Sequence, residues 1–171
     1  QHKPFALSLL IIFFYNFTAG LFICYPYYLQ QFLHQNSMET GLAIVPYGLA
    51  FFLAPLITSR IKLTAPKMIY IGLGLLMAGF VMSAVAFYFQ QKPSFITHIT
   101  LFIGGFGHGT IMPVMMRTAI SLVSRDKAGQ ASGLVSIGIQ IGSVTGGAVI
   151  GTLFFNLIQV LGFTEAFAAA V

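Results

Sequence analysis

The stretch MIYIGLGLLMAGFVMSAVAFYF, residues 68–89, decides the class of fold to which this chain belongs. It runs for 22 residues without a charged side chain, and ten of its residues are Ile, Leu, Val or Phe. Each of these ten favours insertion near mid-membrane by about 0.3 to 0.6 kcal/mol. Because about 20 helical residues cross a hydrocarbon core of about 30 Å, the stretch predicts a transmembrane helix.

Four further apolar segments flank this stretch, and the five extend over roughly residues 5–32, 41–59, 68–89, 95–120 and 131–158. The chain is 57% hydrophobic and 6% charged, with a mean hydropathy of +0.90. A soluble domain carries about 25% charged residues, so this chain has too few to cover a surface in water. The segments also lack the alternation of polar and apolar residues that is typical of barrel strands. The sequence therefore predicts an all-α membrane protein with five complete transmembrane helices.

The basic residues predict the orientation of the helices. An orientation with the N-terminus in the cytoplasm leaves only Lys92 outside. It places the other seven on the cytoplasmic face, namely Lys3, Arg60, Lys62, Lys67, Arg117, Arg125 and Lys127. Such a bias follows the positive-inside rule. The net charge of +5 is thus explained by topology, and since the basic residues form no single patch we expect no nucleic-acid partner.

The sequence offers little for catalysis or metal binding. Cys24 is the single cysteine, and no cluster has the spacing of a zinc site. The acids Glu39, Asp126 and Glu165 lie at or near connections between the apolar segments. We therefore expect no enzyme activity, no metal and no cofactor.

One face of the first apolar segment carries polar and small side chains. They recur at intervals of four, four, three and four residues, which places them on one side of a helix: Asn16, Gly20, Cys24, Tyr27 and Gln31. Pro26 interrupts the backbone hydrogen bonding beside them. Asn16, Tyr27 and Gln31 are candidates for lining a substrate path. The alternative is a hydrogen-bonding seam between helices, in which a bond is worth about 0.6 kcal/mol.

The fifth segment has two narrow faces. Gly138, Gly142 and Gly146 form a repeated small-xxx-small pattern, which lets helix backbones approach closely in lipid. A second face combines hydroxyl, amide and glycine positions: Ser132, Ser136, Gln140, Ser143, Gly147 and Gly151. Gln140 is a candidate for a gating hydrogen bond between helices, and plain packing is the alternative.

The fourth segment contains the motif GGFGHGTIMP, residues 104–113, in the middle of its length. Its helix-weakening residues are expected to serve close packing or bending, with a local break at the proline: Gly104, Gly105, Gly107, Gly109 and Pro113. His108 lies about halfway along, where ionisable residues are rare and often functional. With an ordinary pKa of about 6.5 it is a candidate for substrate contact and proton coupling. The alternative is a neutral histidine bonded to a neighbouring helix. Met112 is a further cavity candidate, although methionines often act only as fillers.

Three stretches together resemble the C-terminal half of a major facilitator transporter. They are YYLQQFLHQNSMETGLAIVPYGLAFFLAPLITSR (27–60), GGFGHGTIMP (104–113) and AGQASGLVSIGIQIGSVTGGAVIG (128–151). The chain is most similar to the fourteen-span drug–proton antiporters of the EmrB and QacA type. The resemblance implies that the five segments are helices seven to eleven of a twelve-helix core, with seven and ten on the central cavity and nine outside. It also implies a missing N-terminal half that carries the acidic coupling residues.

The resemblance and the residues lead to one expected function with two alternatives. We expect part of a proton-coupled multidrug efflux antiporter that works by alternating access in a bacterial inner membrane. Its expected partners are the lipid bilayer, the missing N-terminal half, a small-molecule substrate and protons. A major facilitator carrier for another small solute, such as a sugar, is the first alternative, and a non-transporting membrane scaffold is the second. GFTEAFAAAV (162–171) has a helix N-cap at Thr164, which predicts a truncated sixth span from residue 164 and a chain that is a piece of a longer protein.

Overall fold

The computed structural model describes residues 2–90 and 94–162, and this part of the chain is almost entirely helical. Its α-helices are α1 (His2–Tyr15), α2 (Leu21–Tyr27), α3 (Ser37–Thr58), α4 (Ala65–Gln90), α5 (Phe95–Ser121) and α6 (Ala128–Leu161). No strand occurs in the described ranges. The predicted all-α membrane class is confirmed, since five helical stretches are long and apolar enough to cross a membrane. The predicted sixth span from Thr164 lies outside the described residues.

The first span is an irregular helix. It joins α1 and α2 through a 3₁₀ segment, Asn16–Gly20, and ends in a π-helical segment, Tyr28–Phe32. Pro26 lies inside α2, two residues before the π-helical segment begins. A proline lacks the N–H that an α-helix needs, and π segments in helices are often found at functional positions. The first span therefore changes helix type on either side of α2, while α2 itself continues through Pro26.

Pro113 behaves differently, and the predicted local break at this residue is wrong. α5 continues as one α-helix from Phe95 to Ser121 with Pro113 in its interior. Neighbouring helices can support the backbone around a proline within a membrane bundle. Here α3 packs closely against the preceding turn, where Gly109 faces the backbone of Phe51.

Side-chain caps fix where α3 and α5 begin. The Asn36 side chain accepts a hydrogen bond from the Glu39 N–H at 2.9 Å, and the Glu39 carboxylate accepts one from the Asn36 N–H at 2.9 Å. Ser94 and Thr97 form the corresponding pair at the start of α5. Such capping boxes satisfy backbone donors that a helix start leaves unpaired. They set the register of the two helices that carry the site described below.

α5 is the central helix of the bundle. It packs along α4 on one side and α3 on the other, while α6 packs along the first span. α4 points Tyr70 and Phe89 away from the bundle, with 74% and 78% of these residues exposed. Its one serine, Ser83, lies 2.7 Å from the hydroxyl of Thr100 on α5. An apolar outer face with its polar group turned inward is the pattern of a helix in contact with lipid.

Candidate functional site

His108 lies at a junction of three helical spans. Its Nδ1 is 2.5 Å from the Tyr47 hydroxyl oxygen on α3. The rings of Tyr15, at the end of α1, and Phe51, on α3, meet the imidazole edge-on, with centroid distances of 5.2 Å and 5.1 Å. His108 and Tyr47 are 9% and 3% exposed. Each of these spans contributes its residues from near mid-length, so the junction lies near the middle of the three spans.

Glycines of α5 bring α3 close enough to form this junction. A Cβ atom placed on Gly105 would overlap the carbonyl oxygen of Tyr47, and one placed on Gly109 would overlap that of Phe51. These contacts involve backbone, which cannot rotate out of the way. Small residues at such positions are what allow helices to approach in lipid. The two glycines therefore hold α3 at the distance at which Tyr47 reaches His108.

The other glycines of the motif face α4. A Cβ on Gly107 would lie 2.5 Å from both the Gly72 carbonyl oxygen and the Leu76 amide nitrogen. A Cβ placed on Gly79 of α4 would in turn overlap the backbone nitrogen and Cα of Gly104. The motif thus packs α5 between two helices, and its glycines serve close packing rather than bending.

An apolar pocket of about 200 Å³ opens beside the histidine. It lies between the first span, α3 and α5, and its lining is Phe22, Ile44, Tyr47, Gly48, Phe51 and His108. Binding pockets for small molecules are mostly apolar and carry a few polar groups that fix orientation. Among the lining residues only Tyr47 and His108 carry polar side-chain atoms. Met112 is half-buried one turn further along α5 and is not part of the lining.

A second tyrosine hydroxyl at the junction is that of Tyr15. It is buried and has no hydrogen-bond partner within the described part of the chain. An unpaired buried hydroxyl costs about 1–3 kcal/mol. The Tyr15 ring nevertheless contacts His108, so the junction contains one satisfied tyrosine and one unsatisfied tyrosine.

None of the three residues of the first span that were candidates for a substrate path lines this pocket. Asn16 is buried in the seam with α6, where its amide donates to the Ile12 carbonyl at 2.8 Å and Ser143 donates to its side-chain oxygen at 3.5 Å. Tyr27 packs edge-on against Phe154 and Phe155 of α6. These two residues occupy the interhelical seam of the alternative interpretation and do not line the pocket. Gln31 is exposed and does not join them.

The glycines of α6 meet the first span. Cβ atoms on Gly142 and Gly146 would overlap the backbone of Phe13 and Phe17, while Gly138 is more loosely placed, 3.9 Å from Leu9. The side chain of Gln140 is exposed on the surface of the described bundle. Pro113 borders a separate pocket between α3 and α5 that also contains Arg117.

Sequence reasoning identified His108 but missed its partners Tyr15, Tyr47 and Phe51. A usable signal existed at Tyr47, which lies in the middle of an apolar span. Its hydroxyl needs a partner there, and the histidine at the middle of another span is one of few polar groups available at that depth. Tyr47 and Phe51 are also four residues apart, on one face of α3.

Comparison with known proteins assigns the chain to a family. The family model described as Major Facilitator Superfamily matches residues 7–171. The chain belongs to this superfamily. As a major facilitator chain with five apolar helices, it is an integral membrane protein of a transporter family.

Relatives of this major facilitator chain include named resistance proteins. It is 30% identical over 138 residues to the Multidrug resistance protein B homolog of Mycobacterium tuberculosis, covering 78% of this chain and 25% of that protein. It is 32% identical over 139 residues to the Puromycin resistance protein pur8 of Streptomyces alboniger, covering 78% and 27%. The Uncharacterized transporter YebQ of Escherichia coli is 28% identical over 130 residues, covering 73% and 27%. The chain spans about a quarter of the length of these relatives.

Proposed function

We propose that this chain forms the C-terminal transmembrane bundle of a proton-coupled multidrug efflux antiporter. The observation that carries the proposal is the mid-membrane junction, where a buried histidine borders an apolar pocket. Substrate sites of secondary transporters lie near the bilayer midplane, and alternating access comes from rocking one bundle against the other. The N-terminal bundle would supply the opposite wall of the site and the acidic residues that couple protons.

Resistance proteins among the relatives support a drug as the substrate. The two relatives of 30% and 32% identity are named for multidrug and puromycin resistance. The pocket is lined by aromatic and aliphatic residues, which suits an apolar drug better than a sugar, because a sugar needs many polar partners. The lining thus favours efflux of apolar compounds over the alternative of a sugar carrier.

His108 is the proposed proton-coupling residue of this bundle. The titratable side chains whose rings face it are Tyr15 from the first span and Tyr47 from α3. Neutral His108 has one ring nitrogen that can accept a hydrogen bond from the Tyr47 hydroxyl, whereas protonated histidine donates from both nitrogens. Protonation would therefore turn Tyr47 from donor to acceptor and change how α3 and α5 are joined.

The proposed membrane orientation follows from the basic residues. With the N-terminus of the chain in the cytoplasm of a bacterial cell, the connections 60–67 and 124–130 face the cytoplasm and 33–40 and 90–94 face outward. The proposed location is the bacterial inner membrane. In this orientation Arg60 and Arg125 lie on the cytoplasmic side, which is rich in anionic lipid.

Dye efflux by the full-length protein in everted vesicles tests the proposal. Transport should require a proton gradient and collapse when a protonophore is added. Replacing His108 by alanine should reduce efflux per inserted molecule, whereas His108→Gln should retain transport with a weakened pH dependence. His98→Ala is the matched control, because His98 lies on the same helix and, in the described part of the chain, its ring bonds to the nearby Ser94 carbonyl.

Two outcomes would contradict the proposal. Efflux that is indifferent to the proton gradient would remove proton coupling. Wild-type efflux and pH profile in both His108 variants would remove this residue from the mechanism, and any loss of stability would then reflect a packing role of about 0.6 kcal/mol. If the full-length protein in vesicles exports no compound at all, the scaffold alternative replaces the transporter.

A further inference from the structure

The pocket that contains Arg117 lies between α3 and α5, near the ends of both helices, and has a volume of about 230 Å³. Two prolines and Val114 form its apolar part, and the polar residues of its lining are Thr58, Ser59, Thr110 and Arg117. In contrast to the pocket beside His108, this lining exposes polar as well as apolar surface. The pocket therefore combines a cation with an apolar wall.

Arg117 lies at the level at which the fourth span leaves the membrane. It comes 22 residues after Phe95, the first residue of α5, and a helix of that length extends about 33 Å. The hydrocarbon core is about 30 Å thick, so the exposed Arg117 side chain lies at the depth of the lipid phosphates. In the proposed orientation this is the cytoplasmic boundary, where anionic lipids are abundant.

The guanidinium of Arg117 supplies the free hydrogen-bond donors of this pocket. The three hydroxyl groups of the lining already donate to backbone carbonyls of their own helices. Nε of Arg117 donates to the Pro113 carbonyl at 3.3 Å, and in the described part of the chain the remaining four N–H groups have no hydrogen-bond or ion-pair partner. Such a planar set of donors matches the oxygens of a phosphate group.

An apolar face of α5 leads from this pocket into the membrane. Ile99, Phe102 and Phe106 share one face with Arg117, since they are spaced by three, four and eleven residues. Ile99 and Phe102 are exposed and Phe106 is half-buried. Arg117 is nine residues from His108, which is two and a half helical turns. The face is therefore opposite to His108 and separate from the proposed transport site.

We propose that this pocket binds one anionic phospholipid, with its phosphate on the Arg117 guanidinium and an acyl chain along the apolar face of α5. A free phosphate ion would leave the apolar wall unused, whereas a lipid contacts both parts. Arg60 follows Ser59 of the lining directly, and its positive charge disfavours a headgroup that carries an ammonium. Basic pockets between helices at the cytoplasmic boundary are typical sites for anionic headgroups. This site goes beyond the proposed efflux function and does not depend on it.

Lipid binding to the delipidated full-length protein in detergent, followed by native mass spectrometry, tests the site. The wild type should bind one phosphatidylglycerol in preference to phosphatidylcholine. Arg117→Gln should weaken the binding of phosphatidylglycerol by roughly tenfold, which corresponds to about 1.4 kcal/mol. Arg125→Gln is the matched control, because it removes the same charge after the same end of α5 but outside the pocket lining. Its binding should stay at the wild-type value.

Ser59→Phe tests the pocket without changing any charge. It places a ring at an exposed position of the lining, so it should also weaken the binding of phosphatidylglycerol while the protein denatures at the wild-type temperature. Equal affinities of the wild type for the two lipids would overturn the proposal. Equal losses in Arg117→Gln and Arg125→Gln would reduce it to a diffuse attraction between basic residues and anionic lipid. Displacement of the lipid by an excess of inorganic phosphate would instead identify a site for a free anion and refute the assignment to a lipid.

Discussion

Replacing Gly105 by alanine tests whether glycine contacts hold α3 in place for the site. The added Cβ would overlap the carbonyl oxygen and the Cα atom of Tyr47. Because these are backbone atoms, α3 has to move by roughly 1 Å to restore ordinary van der Waals separation. Overpacking of this kind costs about 1–3 kcal/mol. The displaced residue is the one that bonds to His108, so we expect this hydrogen bond to be lengthened as well.

The neighbouring glycine provides the control. A Cβ on Gly104 would lie 3.5 Å from ring atoms of Phe80, which is an ordinary contact. Alanine is also favoured over glycine in a helix interior by about 1 kcal/mol. We therefore expect Gly104→Ala to be as stable as the wild type or more so. The two variants add the same methyl group to adjacent positions, and their difference isolates the approach of α3.

The assay is thermal denaturation of the full-length protein in detergent, followed by fluorescence-detected size exclusion. Gly105→Ala should denature at a clearly lower temperature than Gly104→Ala, and its dye efflux per inserted molecule should also decrease. Gly109→Ala should behave like Gly105→Ala, since its Cβ would overlap the Phe51 backbone. The reasoning is refuted if all three alanine variants denature at the wild-type temperature.

Three further predictions follow from other contacts. Gly146→Ala should destabilise the protein by about 1–3 kcal/mol, because its Cβ would overlap the backbone of the first span. A Cβ on Gly133 meets no atom within 4 Å, so Gly133→Ala should be as stable as the wild type or more so in the same denaturation assay. Asn16→Ala should cost about 0.6 kcal/mol and leave efflux per folded molecule unchanged, as expected for a seam residue; a selective loss of efflux would instead return it to the substrate path. A membrane-impermeant thiol reagent applied outside cells should label Ser94→Cys but not Thr64→Cys, and the reverse order would invert the proposed orientation.

The fold follows from the sequence because the bilayer imposes a length. Apolar stretches such as 68–89 must form helices that satisfy their own backbone groups, and about 20 residues are needed to cross. Helix class and number can therefore be read without knowing any contact. The caps at Asn36 and Ser94 extend α3 and α5 into the polar connections, which an apolar count alone does not show.

The site follows from the sequence only in part, because it depends on how the helices face one another. His108 is conspicuous as a polar residue at mid-span, whereas its partner Tyr47 is 61 residues away. That pairing depends on how each of the two helices is oriented about its own axis. Because apolar side chains are spread around both helices, the sequence does not specify this orientation. The same limit explains Asn16, whose spacing places it on a helix face without saying that α6 covers the face.

Glycine contacts divide the bundle into two closely packed groups of helices, and His108 lies where they meet. In one group α5 approaches α3 and α4 backbone to backbone through its glycine motif, and in the other α6 approaches the first span through Gly142 and Gly146. Between the groups the described core consists of side chains, such as Ile12, Met115 and Val135. The bond from His108 to Tyr47 lies within the first group, while its ring contact with Tyr15 crosses to the second. A shift between the groups would therefore alter the Tyr15 contact and leave the Tyr47 bond intact.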